Sequence, residues 1–227
     1  EGAFAMLIAL AKKLPALQKQ MNTKAWVWPS QEWLGLDIAE KTLGIIGCGK
    51  IGTSMARMAG LGFRARVIGY DPSKSKEKLA QRGIEKYDDL LEMIKECDFI
   101  SLHAVLNKET KHLIGAKEFS AMKKTAIIIN SARGALIDEM ALLDALENKQ
   151  IAGAGLDVYS LEPLNKTDHP LKKLYEMDNV MLLPHLTFYT KEAMERLEIE
   201  TLERISEVME NRPVTIKSKD PRLQNQT

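Results

Sequence analysis

Six residues of chemically useful type each follow a strand-like run: Gly47, Asp71, His103, Arg133, Asp157 and His185, with Arg133 three residues beyond its run. In open parallel sheets ligands sit outside the carboxyl ends of the strands, so these six are expected to line one crevice. The first opens the stretch Gly47-Cys-Gly-Lys-Ile-Gly52, a G-x-G-x-x-G. Such a motif carries weight only between a strand and a helix. Here a buried-strand pattern (Leu43, Ile45, Ile46) precedes it, and Ile51, Met55, Met58 and Ala59 recur after it at helical spacing. Gly47 permits the tight turn, Gly49 lets a pyrophosphate approach the backbone, and Gly52 lets the helix lie close on the strand. The helix N-terminus adds free N–H groups and a positive dipole end. Asp71 closes the next strand run nineteen residues after Gly52, the spacing at which an acid meets the adenosine ribose hydroxyls. The cofactor expected is NAD.

Taken singly, the remaining residues have ordinary readings. His103 can be a strand-end packing residue, Arg133 a surface ion pair, Asp157 a cap and Glu162, before Pro163, a turn residue. His112 and His169 read as loop histidines without a role. Only the joint arrangement favours chemistry.

The elements that must position these residues alternate strand and helix from Thr42 onward, which predicts an α/β fold with a doubly wound parallel sheet covered on both faces. Strand runs are expected at 42–47, 65–70, 98–102, 125–130, 151–156 and 179–183. Helices are expected from Pro72 to Arg82, from Asp88 to Glu96, from Glu118 to Met122, after the cap Asp138 to Asn148, and from Thr190 to Glu210. Residues 1–20 read as one helix, broken near Pro15, with Phe4, Leu7, Ile8 and Ala11 on one face. Its apolar run is too short to span a bilayer, and its lysines follow rather than precede it, unlike a signal peptide. Residues 21–40 show no clean period but hold Trp26, Trp28, Trp33 and Pro29. They are either an irregular segment packed on the core or an arm reaching a second subunit, where aromatic anchors are favoured. The tail from Asn211 is expected to fray.

Of the 227 residues, 45% are hydrophobic and 28% charged, as in an ordinary soluble globular protein. A net charge of +1 gives no ground for a nucleic-acid partner or an acidic tail. Cys48 and Cys97 have no metal-ligand spacing, so no metal is expected, and both are taken as reduced packing residues of a cytoplasmic protein.

The runs Ile128-Ile-Asn-Ser-Ala-Arg-Gly-Ala-Leu-Ile-Asp138, Gly153-Ala-Gly-Leu-Asp-Val-Tyr159, Glu162-Pro163 and Leu183-Pro-His185 resemble the D-isomer-specific 2-hydroxyacid dehydrogenases. The resemblance extends from Glu1 to about Arg212. It implies a nicotinamide-dependent oxidoreductase acting between a small 2-hydroxy acid and its 2-keto acid. It also implies that Arg133 binds substrate, Glu162 is the acid beside His185, His185 is the proton donor, and Asp157 bonds the nicotinamide carboxamide. The expected dinucleotide contacts are then Gly47, Gly49, Lys50, Ile51, Gly52, Asp71, His103, Ala104, Ala132, Arg133, Asp157 and His185. The residue types suit the reaction. Charge developing on the carbonyl oxygen needs a proton, which a histidinium can give near neutral pH. An ionised Glu162 would favour that charged imidazole, and the planar fork of Arg133 suits a carboxylate.

Members of that family usually begin about a hundred residues earlier, with half of a substrate domain. The resemblance therefore implies an interdomain helix over 1–20, a Rossmann NAD-binding domain over 21–190, and a crossing helix with a frayed tail over 191–227. The loop Leu102 to Asn107 lacks the proline common there. His185 to Thr190 resembles the D-lactate dehydrogenase branch, while the spacing after Asp157 fits glyoxylate or hydroxypyruvate reductases better. A formate dehydrogenase is disfavoured, because that branch resembles glutamine at position 162. A dinucleotide-sensing, corepressor-like module that has lost turnover is the competing reading. A homodimer through the cofactor domain is expected, with no membrane partner.

Overall fold

A computed structural model describes residues 1–214. The expected tail from Asn211 lies, beyond Val214, outside the described residues. The chain divides into two compact units, Glu1–His185 and Leu186–Thr227.

In the first unit seven strands form one sheet in the order β3-β2-β1-β4-β5-β6-β7. They are β1 (Thr42–Ile46), β2 (Arg66–Tyr70), β3 (Glu85–Tyr87), β4 (Phe99–Leu102), β5 (Ile127–Asn130), β6 (Gly153–Leu156) and β7 (Val180–Leu182). Every neighbouring pair is parallel, including β1 with β2. The strands are short, continuous apolar runs, as burial on both faces requires. Alternation sends Leu43, Ile45, Phe99, Ile127 and Ile129 to one apolar layer, and Ile46, Ile100, Leu102 and Ile128 to the other. The first layer is closed by α1 (Gly2–Ala11) and α3 (Lys50–Arg57), with Leu79 of α4 (Lys76–Ala80). The second is closed by α5 (Leu90–Glu96), α6 (Ala116–Ala121) and α7 (Glu139–Glu147). The order reverses between β1 and β4, and the crevice of a doubly wound sheet opens at that reversal.

Several sequence expectations are corrected. The break expected near Pro15 falls at Lys12 and Lys13 and parts residues 1–20 into two helices, α1 and α2 (Leu14–Lys24), the second running on past residue 20. Lys13 takes a left-handed φ of 53°, and Pro15 sits in the first turn of α2, where its missing N–H costs nothing. α1 is a core helix, with Met6 and Leu7 fully buried, whereas α2 buries none of its residues. The short edge strand β3 was not expected: Glu85-Lys-Tyr87 is three residues of mixed polarity, too brief to show a period. The helix expected from Pro72 to Arg82 is shorter, Lys76–Ala80, because Ser75 accepts the Lys78 N–H and caps it there. Ile51 is not on the buried face of α3 but 69% exposed in its first turn. Trp26 and Trp28 are 71% and 79% exposed, whereas Leu36 and Ile38 at the far end of the same segment pack on the core.

In the second unit, Thr190 accepts the Ala193 N–H at 3.2 Å and caps α8 (Lys191–Met209). Among the described residues no helix is long and apolar enough to cross a membrane.

Candidate active site

The Gly-rich turn is shaped by contacts that exclude side chains. Gly47 has φ +89°, and a Cβ there would lie 2.4 Å from the Ala104 nitrogen beyond β4. A Cβ on Gly52 would lie 2.2 Å from the Gly47 carbonyl oxygen, so α3 lies against the turn. A Cβ on Gly49 would meet nothing within 4 Å; the space over it is open. No side chain caps α3. The first-turn N–H groups around Lys50 and Ile51 thus face an open cradle, the geometry a pyrophosphate requires.

Asp71 braces this turn. Its Oδ2 accepts the Cys48 N–H at 2.9 Å, and its Oδ1 accepts the Ser73 N–H and Oγ–H at 3.0 and 2.7 Å. Burial pushes the Cys48 thiol up to about 12, Asp71 adds to that, and Arg82 and Lys74 work against it. Cys48 is therefore a packing residue with no thiolate chemistry near neutral pH. The His103 N–H donates to the Ile46 carbonyl at 2.7 Å, joining β4 to β1. Its ring turns in under α3, where Nε2 meets Ser101 Oγ at 2.9 Å and Met55 Sδ at 3.3 Å. Burial pushes this imidazole down to about 4.

Across the sheet reversal, the end of β5 positions Arg133. Asn130, 1% exposed, donates from Nδ2 to the Arg133 carbonyl at 2.9 Å and accepts the Ala132 N–H at 3.1 Å. A buried amide at a strand end thus folds the Ser131–Arg133 loop. Arg133 itself is exposed, with Nη1 donating to the Ala132 carbonyl at 2.6 Å. Gly134 docks this loop on the next one, since a Cβ there would lie 2.1 Å from the Tyr159 carbonyl carbon.

The loop after β6 carries the acid. Asp157 is buried at its base, and its N–H donates to the Asn130 carbonyl at 3.0 Å. The Tyr159 hydroxyl donates to the Leu156 and Leu183 carbonyls, tying the ends of β6 and β7 together. The Tyr159 N–H donates to Glu162 Oε1 at 3.0 Å and aims the carboxylate. Glu162 Oε2 then meets His185 Nδ1 at 3.1 Å. Burial pushes the Glu162 carboxyl up, but the His185 hydrogen bond, the Tyr159 N–H and the nearby His185 and Arg133 charges outweigh it and hold the group below its ordinary value. His185 has φ 59°, a left-handed backbone rare outside glycine and asparagine. Such strain is held where the surroundings over-determine it, commonly at working sites. The pair remains accessible, with side chains 44% and 38% exposed.

All six residues that follow strand runs therefore lie at the carboxyl ends of strands of one sheet. Glu162 and His185 meet, and the Arg133 charge acts on Glu162; the His103 ring is engaged beneath the turn. Asn130 and Tyr159 were missed as positioning residues, although both stand inside the quoted motifs. An asparagine closing an otherwise apolar strand is the signal that could have found the first. His169, read as a loop residue, is 3% exposed and braces its loop, with Nε2 on the Leu161 carbonyl and Nδ1 accepting the Leu171 N–H.

Residues 4–187 match the family described as D-isomer specific 2-hydroxyacid dehydrogenase, NAD binding domain. The chain is 40% identical over 197 residues to a glyoxylate reductase of Korarchaeum cryptofilum, covering 86% of this chain and 58% of that protein. Among solved structures it is similar to D-lactate dehydrogenase with NAD+ from Lactobacillus jensenii, with TM-score 0.83 and 31% identity over 95% of this chain and 67% of that one. It is also similar to an acyclic imino acid reductase in complex with NADPH and D-Arg, with TM-score 0.81 and 35% identity over 93% and 64% of the two chains. The chain spans between 36% and 58% of the length of the first curated relatives it matches. With its sheet order, Gly-rich turn and Arg–Glu–His set in place, the chain belongs to the D-isomer specific 2-hydroxyacid dehydrogenases, through their NAD-binding domain.

Proposed function

We propose that this chain is the catalytic cofactor-binding part of an oxidoreductase that transfers hydride between NAD(H) and a small 2-keto or 2-hydroxy acid. One observation carries the reading: His185 Nδ1 lies 3.1 Å from Glu162 Oε2, on a strained backbone, at the carboxyl edge that also holds Arg133. When bound, the nicotinamide supplies the hydride. The Gly47–Gly52 turn holds the pyrophosphate, Asp71 receives the ribose hydroxyls, and Asp157 at the base of the crevice orients the carboxamide. Arg133 holds the substrate carboxylate by its fork and polarises the carbonyl. His185, kept in orientation at Nδ1 by Glu162, gives its Nε2 proton to the carbonyl oxygen as charge develops there. In the reverse direction the same atom takes the proton from the hydroxyl.

His185→Ala in the gene product should lower turnover by about 10²–10⁴-fold, the usual worth of general acid catalysis, and leave NADH affinity nearly intact. Steady-state rates with glyoxylate, hydroxypyruvate and pyruvate test this; near-normal turnover would remove the mechanism. The reading includes a preference for NADH over NADPH, set by the Asp71 carboxylate and softened by Lys74. It also includes a homodimer, supported by a helix α2 without buried residues and by the exposed Trp26 and Trp28. A cytoplasmic setting, supported by two free buried thiols, completes it.

A further inference from the structure

Two neighbouring backbone N–H groups in the loop after β6 are each taken by a carboxylate. The Tyr159 N–H goes to Glu162 Oε1 at 3.0 Å, and the Ser160 N–H goes to Glu139 Oε1 at 2.7 Å. The second carboxylate comes from another element, twenty-one residues away in the chain, in a charge-assisted bond of short length. Half-buried Glu139 opens α7, directly after the cap Asp138, whose Oδ1 accepts the Met140 and Ala141 N–H groups at 3.1 and 3.2 Å. That cap fixes the start of α7, and the 3₁₀ turn Gly134–Leu136 joins it back to Arg133. The Ser160 nitrogen gripped by Glu139 is also the one that a Cβ on Gly134 would approach to 2.2 Å. Residues 133–139 thus present Arg133 at one end and hold the Glu162 loop from the other.

We propose that Glu139 is a positioning residue of the proton-donor site. By holding the Ser160 N–H it leaves Glu162 with one backbone donor, Tyr159, and with the His185 ring. Without that grip the Ser160 N–H competes for the Glu162 carboxylate, which turns onto both backbone donors and away from His185. The inference deepens the oxidoreductase reading above and rests on it. An acid in the first turn of a helix can also serve the helix dipole alone, a role that needs charge but not reach. Two variants separate charge from reach. Glu139→Asp keeps the charge at the start of α7 but is a methylene shorter and loses Ser160. Glu139→Gln loses the charge but keeps a carbonyl oxygen at the same distance from Ser160.

Amide hydrogen exchange at Ser160, NADH titration and steady-state kinetics on the gene product and its Glu139 variants test it. Exchange at Ser160 should be faster in Glu139→Asp and Glu139→Ala than in the parent, and close to the parent in Glu139→Gln. With glyoxylate, hydroxypyruvate or pyruvate, the Asp and Ala variants should lose kcat by about tenfold to a hundredfold, as a misplaced reacting group does. Their solvent deuterium isotope effect should rise as proton transfer becomes the slower step, while KM and NADH affinity change little. Glu139→Gln should restore kcat. Unchanged exchange at Ser160 in the Asp and Ala variants, or a normal kcat in Glu139→Asp, overturns the proposal. So does a loss of kcat in Glu139→Gln that Glu139→Asp does not share, which assigns the residue to the helix end. NADH affinity falling in step with kcat would mark general loosening and overturn it as well. If the parent protein reduces no 2-keto acid, the oxidoreductase reading falls and the positioning role with it, whatever the exchange at Ser160 shows.

Discussion

At the scale of single residues, the pairing of Glu162 with His185 has a consequence that charge and shape can separate. Glu162→Gln keeps a hydrogen-bonding group of the same size but removes the carboxylate that burial raises and that the His185 hydrogen bond, the Tyr159 N–H and the Arg133 charge hold below its ordinary value. Turnover should then fall while cofactor affinity stays nearly constant. Steady-state rates and NADH titration decide this, and unchanged turnover would take Glu162 out of its role. Arg133→Lys keeps the charge but loses the fork, so both KM and turnover should suffer. His103 offers a test of stability instead. Its folded value is pushed by burial to about 4, against an ordinary 6.5. The unfolded chain therefore binds the proton first as pH falls, and stability is lost between those two values. At pH 5 the loss relative to pH 7.5 from this group alone should be about 2 kcal/mol. Urea unfolding at the two pH values should show that difference reduced in His103→Gln; equal pH dependence in both proteins would mean the ring is not buried neutral.

At the scale of elements, the site is made by loops meeting at strand ends, and Gly134 is the narrowest meeting point. A methyl group there would come within 2.1 Å of the Tyr159 carbonyl carbon and 2.2 Å of the Ser160 nitrogen, both backbone atoms. Gly134→Ala must then part the Arg133 loop from the Glu162 loop. Overpacking of this kind costs about 1–3 kcal/mol. The expected outcome is a lower Tm together with a fall in kcat/KM, with NADH binding at the Gly47–Gly52 turn largely retained. Full activity in a stable Gly134→Ala protein would show that the two loops need not touch. The turn itself is held differently, by φ +89° at Gly47, by the close approach of α3 at Gly52, and by Asp71 from below.

At the scale of the molecule, α2 is held only along one edge: Lys19 Nζ meets Asp178 Oδ1 at 2.5 Å and Leu17 is half-buried, but no residue of the helix is fully buried. An isolated helix of eleven residues is marginal in water. Leu14, Met21, Trp26 and Trp28 are each about half or more exposed, with the two tryptophan rings edge to face at 6.4 Å. Covering by a second copy accounts for both facts. Replacing Trp26 and Trp28 together with serine should weaken self-association by about 2 kcal/mol or more, since buried tryptophans commonly dominate interfaces. Sedimentation velocity across a concentration series reads this directly. An unchanged dimer would place the interface elsewhere, and a wild type that stays monomeric at high concentration would remove the proposal.

Local pattern alone determined the fold class, six of the seven strands, the glycine turn, the helix cap at Asp138, and which residues stand at strand ends. Those features are legible because they rest on short-range constraints: apolar runs that must be buried, glycines that must turn, and side chains that bond the next backbone N–H. Tertiary structure decided the rest. β3 exists because β2 offers it an edge, not because Glu85-Lys-Tyr87 prefers to be a strand. α1 and α2 read as one helix, yet a left-handed Lys13 parts them, one into the core and the other out of it. The His103 ring lies under α3 because Ser101 and Met55 are there to receive it. The 3.1 Å contact between Glu162 and His185, twenty-three residues apart, comes from Tyr159 joining the ends of β6 and β7, a long-range bond that no local pattern can announce.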